Sequence, residues 1–172
     1  QSGLVKISSG IPGFDELSLG GFVKGRMTLV SGTSGSGKSV FGAQFLYDAI
    51  VRGDGGGVFV TFEETPADII NDVSGFGWDI PKLVKAGKWA FVDASPSEGE
   101  ELVIGKYDLN PLLARIEHAI EKVHAKRVVL DSLSSLFSRF NEQHVVRAIL
   151  CRIAARLKER GITSLITAER VS

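Results

Sequence analysis

Short apolar runs alternate along this chain with longer segments in which apolar residues recur at helical spacing. The runs are bounded by glycine, proline or polar residues, a pattern typical of strands buried in a parallel sheet. Five strands are predicted, at residues 27–31, 57–62, 88–92, 127–131 and 163–167.

The segments between these strands predict four helices, at residues 38–52, 66–74, 112–124 and 142–160. Thr65 and Pro66 supply a helix cap and a proline at the first helical position, and Asn110 with Pro111 repeats that signal. Gly161 is expected to end the last helix. The alternation predicts an α/β fold with a doubly wound, mostly parallel sheet flanked by helices.

The length of 172 residues is that of one domain, residues 1–172. The chain has no initiator Met and stops directly after the last predicted strand, so we expect a C-terminally truncated fragment. Cys151 lies in a helical apolar pattern, where a buried structural thiol is expected.

Charge and hydropathy argue against several kinds of partner. Twenty Lys and Arg residues balance twenty Asp and Glu residues, so no net field favours nucleic acid. No apolar stretch approaches the roughly 20 residues of a membrane span, and the start of the chain has no signal-peptide pattern. We expect a cytoplasmic protein without membrane or nucleic-acid partners. The three histidines fall in predicted helices without metal-ligand spacing and are expected at the surface.

A phosphate-binding motif lies between the first predicted strand and the first predicted helix. Residues 32–39 read GTSGSGKS, which matches G-x-x-x-x-G-K-[ST] in the context that the motif requires. The glycines allow backbone N–H groups to point at phosphate oxygens, and the lysine adds a positive charge. The alternative is a flexible loop rich in Gly and Ser. The candidate nucleotide-binding residues are Thr33, Ser34, Gly35, Ser36, Gly37, Lys38, Ser39 and Val40.

Two oxygen-bearing side chains are candidate ligands of Mg²⁺. The Ser39 hydroxyl ends the phosphate-binding motif, and Asp131 ends the apolar run before a turn, as in a Walker B strand. Short apolar strands that end in Asp are common, so the assignment of Asp131 depends on the motif at residues 32–39.

Two acidic residues, Glu63 and Glu64, stand at the carboxyl end of the second predicted strand. Parallel α/β sheets bind ligands at that edge, and a carboxylate there can polarise the water that attacks a γ-phosphate. Both are therefore candidate catalytic residues, and the sequence does not separate them. The alternative is a favourable negative charge at the start of the next helix. Thr167 and its polar neighbours end the fifth strand, where they either sense the γ-phosphate or face solvent.

Six strings in the sequence together resemble the N-terminal, CI-type domain of the KaiC family of circadian clock ATPases. They are SGIPGFDELSLGG, VSGTSGSGKS, GVFVTFEETPADII, FGWD, DASP and RVVLDSLSSLF. The resemblance covers essentially the whole chain. RecA-type recombinases and DnaB-type helicases share the P-loop and the strand-end acid, but the strings at residues 62–66 and 76–79 are closer to KaiC.

The resemblance implies a RecA-like fold, Mg²⁺-dependent ATP binding and slow hydrolysis in a hexameric homo-oligomeric ring, with nucleotide at the subunit interfaces. The residues at matching motif positions are Lys38, Ser39, Glu63, Glu64 and Asp131. It also implies a KaiB-binding surface from Asp93 through the helix that starts at Leu112. Serine/threonine kinase activity belongs to the second domain of the family and is not expected here.

The sequence departs from the family at two places. Gly75 stands where a Ser is common near the adenine, and the chain lacks the later strands whose basic residues reach the neighbouring subunit's nucleotide. Two alternatives to an ATPase remain. One is a nucleotide-gated module that binds a KaiB-like clock partner with little turnover, and the other is a DNA motor of the RecA or DnaB kind.

Overall fold

A sheet of five parallel strands forms the centre of the molecule. The structure is a computed structural model, and it describes residues 6–7, 22–32, 37–95, 109–140 and 142–169. A short antiparallel pair, β1 (Lys6–Ile7) and β2 (Phe22–Val23), precedes the sheet. The sheet strands are β3 (Met27–Gly32), β4 (Gly56–Thr61), β5 (Trp89–Asp93), β6 (Ala125–Asp131) and β7 (Thr163–Glu169). Their order is β3-β7-β6-β4-β5, and every neighbouring pair is parallel.

Helices connect these strands. They are α1 (Lys38–Val51), α2 (Pro66–Asp72), α3 (Ile80–Lys85), α4 (Asn110–Val123), α5 (Leu133–Arg139) and α6 (Gln143–Glu159). A short 3₁₀ turn, Ser74–Phe76, joins α2 to the loop before α3. Parallel strands require such crossovers because a tight turn cannot connect them.

The two faces of the sheet bury separate hydrophobic cores. Val58, Val60 and Val128 belong to the cluster that includes residues of α4, α5 and α6. Phe59 and Val129, which alternate with them along β4 and β6, belong to the cluster that includes residues of α1, α2 and α3. Successive side chains of a strand point to opposite faces, so the central positions of these strands, 58–60 and 128–130, are apolar on both faces. The predicted doubly wound α/β sheet is therefore confirmed.

Close packing of α1 on the sheet depends on a glycine within that helix. A Cβ at Gly42 would lie 2.9 Å from Val129 Cγ1 and 3.4 Å from Phe59 Cε2. The absence of a side chain lets the helix axis approach β4 and β6 closely. This contact fixes the distance between the start of α1 and the carboxyl ends of those strands.

All the strands and helices predicted from the pattern are present, with small shifts at their ends. Thr65 caps α2 in a reciprocal arrangement, in which Asp68 N donates to Thr65 Oγ1 and Thr65 N donates to Asp68 Oδ2. Gly161 lies just beyond α6 with a φ of 68°, as a helix-ending glycine should. The expected cap at Asn110 is wrong, because Asn110 is already the first residue of α4.

The expectation that Cys151 is buried is also wrong, since its side chain is exposed. The buried residues of α6 include Ile149 and Ile153, and Cys151 lies two positions from each. Two positions along an α-helix correspond to about 200°, so Cys151 points away from the buried stripe. The apolar pattern correctly predicted a helix, but it did not show which face of that helix is buried.

Candidate active site

A cleft of about 340 Å³ opens where the carboxyl ends of β4 and β6 meet the start of α1. Its lining residues are Gly37, Lys38, Ser39, Val40, Glu63, Glu64, Asp72, Asp131, Ser132 and Ser135. Seven of the residues singled out in the sequence thus lie around one cavity, although they come from three separate segments. Thr33, Ser34, Gly35 and Ser36 lie outside the described residues.

The start of α1 faces the cleft with its polar backbone groups. Gly37 precedes the helix with a φ of 80°, a left-handed conformation that favours glycine, and no side chain caps this end. The first N–H groups of a helix lack partners within the helix, and they carry part of the positive end of its dipole. Lys38 opens the 14-residue helix and lines the same cleft. This end of α1 suits an anionic group such as a phosphate.

The inner side of the cleft consists of Ser39 and Asp131, together with the buried Thr167 that contacts Asp131. Ser39 Oγ donates a hydrogen bond to Asp131 Oδ2 at 2.8 Å, and Thr167 Oγ1 donates to Asp131 Oδ1 at 2.6 Å. Asp131 is nearly buried and Thr167 is fully buried. Each carboxylate oxygen therefore has its own hydroxyl donor, which holds the group in one orientation.

The hypothesis that Thr167 senses a γ-phosphate or faces solvent finds no support in this geometry. Its hydroxyl is buried and directed at Asp131, so it supports that carboxylate instead. The side chain of Glu169 and all of Arg170 lie outside the described residues.

The inner side fits a magnesium ion that arrives with a nucleotide. Because Ser39 Oγ gives its proton to Asp131, its lone pairs stay available to a cation. Hydroxyl and carboxylate oxygens are ligands that Mg²⁺ prefers, and Mg²⁺ usually combines one or two protein oxygens with substrate phosphates and water. Across the described residues, no group of three or more His, Cys, Asp or Glu side chains could hold a metal. The donor set thus suits a phosphate-bound ion better than a metal held by protein alone.

The outer side of the cleft consists of Glu63, Glu64 and Asp72. Glu63 Oε2 accepts a hydrogen bond from Ser135 Oγ at 2.9 Å. Glu64 Oε2 is buried and has no hydrogen-bond partner in the described part of the chain. The two neighbouring glutamates therefore have different environments.

The pKa of Glu64 is raised from 4.5 to about 7. Burial is the largest cause, because it disfavours the charged form. The negative charge of Asp72 and a hydrogen bond shared with it come next, followed by the charges of Asp131 and Asp68. A cation in the cleft would offset this repulsion and lower the pKa of Glu64.

Three residues of the cleft were not identified in the sequence: Asp72, Ser132 and Ser135. Ser132 directly follows Asp131 and caps α5, so an Asp-Ser-x-x-Ser string after a buried strand is the signal that could have indicated both serines. Asp72 ends α2, and only the fold of that helix over the cleft brings it to the site.

A parallel sheet with a P-loop helix and a buried strand-end Asp at its carboxyl edge defines a P-loop ATPase fold of the RecA kind. The family model described as "ATPase: KaiC" matches residues 7–172. The chain is 52% identical over 170 residues to the circadian clock protein KaiC3 of Synechocystis sp., covering 98% of this chain and 34% of that protein. It is 52% identical over 169 residues to the circadian clock oscillator protein KaiC of Synechococcus elongatus, covering 98% of this chain and 32% of that protein. The chain belongs to the KaiC family of ATPases.

The chain spans about a third of the length of the curated relatives it matches. Among the described residues, no helix has both the length and the apolar character needed to cross a bilayer.

Proposed function

We propose that this chain binds Mg·ATP in the cleft and hydrolyses it slowly, as a domain of a KaiC-like circadian clock protein. The observation that carries the proposal is the convergence of Lys38, Ser39, Glu63, Glu64 and Asp131 on one cavity at the carboxyl edge of the sheet. Polar groups from separate segments rarely meet in one cleft unless they share a ligand.

Binding relies on the positive groups of the cleft. Lys38 and the first N–H groups of α1 face the phosphates, and Thr33, Ser34, Gly35 and Ser36 belong to the same sequence motif. Ser39 and Asp131 hold Mg²⁺ through the Ser39 lone pairs and the charge of the carboxylate. When bound, the ion neutralises negative charge on the phosphate oxygens.

Hydrolysis uses the outer side of the cleft. Water attacks the γ-phosphorus, the bond between that phosphorus and the bridging oxygen of ADP breaks, and a carboxylate accepts a proton from the water. Glu63 and Glu64 are the carboxylates within the cleft that can orient the water and take this proton. Glu63 is the better-oriented of the two, because Ser135 fixes one of its oxygens.

Isothermal calorimetry of ATP binding to Lys38→Ala tests the site. The variant loses the charge that faces the phosphates, and charge-assisted hydrogen bonds contribute about 1.5–3 kcal/mol, so affinity should fall by about 10- to 150-fold. Lys85→Ala, in the last turn of α3, is the control and should bind like the parent. Unchanged affinity of Lys38→Ala would remove the P-loop assignment.

Assembly and partners follow from the family. We propose a hexameric homo-oligomeric ring in the cytoplasm, with nucleotide at the subunit interfaces, because the relatives are KaiC proteins. The balanced charge of the chain gives no support to a DNA motor. Sedimentation with and without Mg·ATP, together with a salt-dependent DNA titration, tests both statements.

One observation also favours a nucleotide-gated interaction module that binds a KaiB-like partner. A groove of about 380 Å³ runs between β5 and α4, lined among others by Phe91, His118 and Lys122. The groove includes residues of α4, the helix with which the partner surface implied by the family resemblance, from Asp93 through the helix that starts at Leu112, ends. Partner binding with a non-hydrolysable ATP analogue separates the two functions: a module binds as tightly without turnover, whereas an ATPase-driven partner exchange requires hydrolysis.

A further inference from the structure

Two serine hydroxyls connect the end of β6 to Glu63. Ser132 directly follows Asp131, and its Oγ lies 3.0 Å from Ser135 Oγ. Ser135 Oγ in turn donates to Glu63 Oε2 at 2.9 Å, across 72 positions of sequence. The three side chains form one continuous hydrogen-bonded row along the wall of the cleft.

The backbone builds this row from the register of the sheet. Thr61 pairs with Asp131 between β4 and β6, and Phe62 N then donates to Asp131 O at 2.9 Å. Ser132 caps α5 by accepting a hydrogen bond from Ser135 N at 3.4 Å. Ser135 thus sits in the first turn of α5, directly beside the residue that leaves β4.

The direction of the protons along the row follows from donor and acceptor chemistry. An ionised glutamate only accepts hydrogen bonds, so the Ser135 proton points to Glu63. The Ser135 oxygen can then accept the proton of Ser132, which closes the row without an unsatisfied donor. Ser135 is only 7% exposed, so water competes little for its hydroxyl.

We propose that Ser135 is a positioning residue that holds Glu63 in the orientation required to orient the attacking water, with Ser132 supporting Ser135. The proposal rests on the function proposed above. Ser135 occupies Oε2 of Glu63, and this leaves Oε1 to accept a hydrogen bond from water. The row reaches Glu63 and not its neighbour, so Ser135 also selects Glu63 as the carboxylate that acts on water.

The first test compares Ser135→Ala with Ser138→Ala in the full-length protein. Ser138 lies on the same helix, is exposed, and donates to the backbone oxygen of Ser134, so it serves as a matched control. Loss of a hydrogen bond to a charged group should lower kcat for ATP hydrolysis by about tenfold in Ser135→Ala. KM for ATP should stay within about twofold because Ser135 acts after binding. Ser138→Ala should retain the kcat of the parent.

Conservative variants separate positioning from helix stability. Ser135→Thr keeps the hydroxyl and should recover most of kcat, whereas Ser135→Cys keeps the volume but donates weakly and should remain slow. If Ser135→Ala fails to fold, the comparison of kcat between Ser135→Thr and Ser135→Cys still tests the positioning role. Equal kcat for the Thr and Cys variants would overturn the proposal.

A double-mutant cycle with Glu63→Ala shows whether Ser135 acts through Glu63. If it does, Ser135→Ala causes no further loss of kcat in the Glu63→Ala background. The same fractional loss in both backgrounds would show a separate role and overturn the proposal. A slow Glu63→Ala with a parental Ser135→Ala would reject the positioning role alone, and a parental Glu63→Ala would reject Glu63 as the carboxylate that acts on water. A parent protein that binds no Mg·ATP and releases no phosphate would reject the proposed function itself.

Discussion

Asp131 on the inner side of the cleft and Glu64 on the outer side have opposite environments. On the inner side, both oxygens of the nearly buried Asp131 accept hydroxyl protons, from Ser39 and Thr167. On the outer side, Glu64 has a buried oxygen without a partner in the described part of the chain, and burial, together with the nearby charge of Asp72, raises the pKa of Glu64 to about 7. Hydroxyl donors therefore satisfy the negative charge of Asp131, whereas the charge of Glu64 is left without such donors among the described residues.

Asp131 is held in place before any ligand binds, whereas the charge of Glu64 is stabilised only when a ligand binds. A carboxylate held by two hydroxyls costs no reorganisation when a cation binds, which is the advantage of a preorganised site. A carboxylate crowded by other acids gains stability only when a cation or a protonated ligand arrives. We expect substitutions on the two sides to differ in sign as well as in size.

The largest effect is expected for Glu63→Gln on the outer side. Glutamine keeps the size of the side chain but cannot accept a proton, and groups of this kind contribute about 10²- to 10⁴-fold to the rate. Turnover in the full-length protein should fall by that factor, with ATP affinity unchanged or slightly increased. Phosphate release measures the first and calorimetry the second. Glu159→Gln, at the end of α6, is the control. Equal rates for Glu63→Gln and the parent would mean that Glu63 serves only as a charge near the start of α2.

Asp131→Asn should have the next largest effect, on the inner side. The substitution removes the negative charge beside the metal position and offers one acceptor oxygen where two hydroxyls now donate. Loss of such a partner typically lowers metal affinity by about 10- to 100-fold. The Mg²⁺ concentration that half-saturates nucleotide binding should rise by that factor, while binding without Mg²⁺ changes less. Asp54→Asn, in an exposed turn, should leave the Mg²⁺ titration unaltered. A parental titration for Asp131→Asn would place the metal elsewhere.

Thr167→Val tests the support of the inner carboxylate without removing its charge. Valine has nearly the same shape, but it leaves Asp131 Oδ1 buried without its donor, at a cost of about 1–3 kcal/mol. The melting temperature should fall by about 2–10 °C for a chain of this size. Thr28→Val, on the neighbouring strand β3, is the matched control and should cost much less. Equal melting temperatures for the two variants would show that the contact between Thr167 and Asp131 contributes nothing to stability.

The smallest effect is expected for Glu64→Gln, and its sign is opposite. The pKa of Glu64 is raised in the folded state, so its ionisation destabilises the fold as pH rises from about 4.5 to about 7, and the full penalty remains above that range. Removing the charge should raise the melting temperature by about 1–2 °C at pH 8, a modest gain because Glu64 is only partly buried and solvent screens its charge. The gain should be smaller at pH 5, with chelator present and nucleotide absent. A pH-independent difference would contradict the raised pKa.

The parts of the fold that carry local signals were predictable from the sequence. The five strands are short apolar runs, and Thr65 with Pro66 indicates the start of α2. Helices α3 and α5 were missed, although Asp79 and Ser132 cap them with side-chain hydrogen bonds, because each spans only about two turns and shows no clear period. The exposure of Cys151 depends on the rotation of α6 against the sheet, which apolar content alone does not define.

The candidate site was predictable where its residues belong to a motif. The segment from Gly37 to Val40 and the strand-end acids follow from spacing and from the rule that ligands bind at the carboxyl edge of a parallel sheet. Of the two alternatives for Thr167, solvent exposure is wrong, since a strand-end position does not reveal that the hydroxyl is buried and points to Asp131. Asp72 reaches the cleft through the packing of α2, which no local pattern describes, and the string that could have indicated Ser135 does not show that its hydroxyl meets Glu63.

The order of the strands has a consequence for synthesis of the protein. Strand β3, which leads into the P-loop, pairs with β7, and Gly25 N donates to Thr163 Oγ1 across 138 positions of sequence. At about 5–20 residues per second, the ribosome needs roughly 10–30 s to add those residues. During that interval the early strand has no partner within the described sheet, and Asp131 lacks the hydroxyl of Thr167. The nascent chain therefore gains the hydroxyl that holds Asp131 Oδ1 only after β7 has left the ribosome.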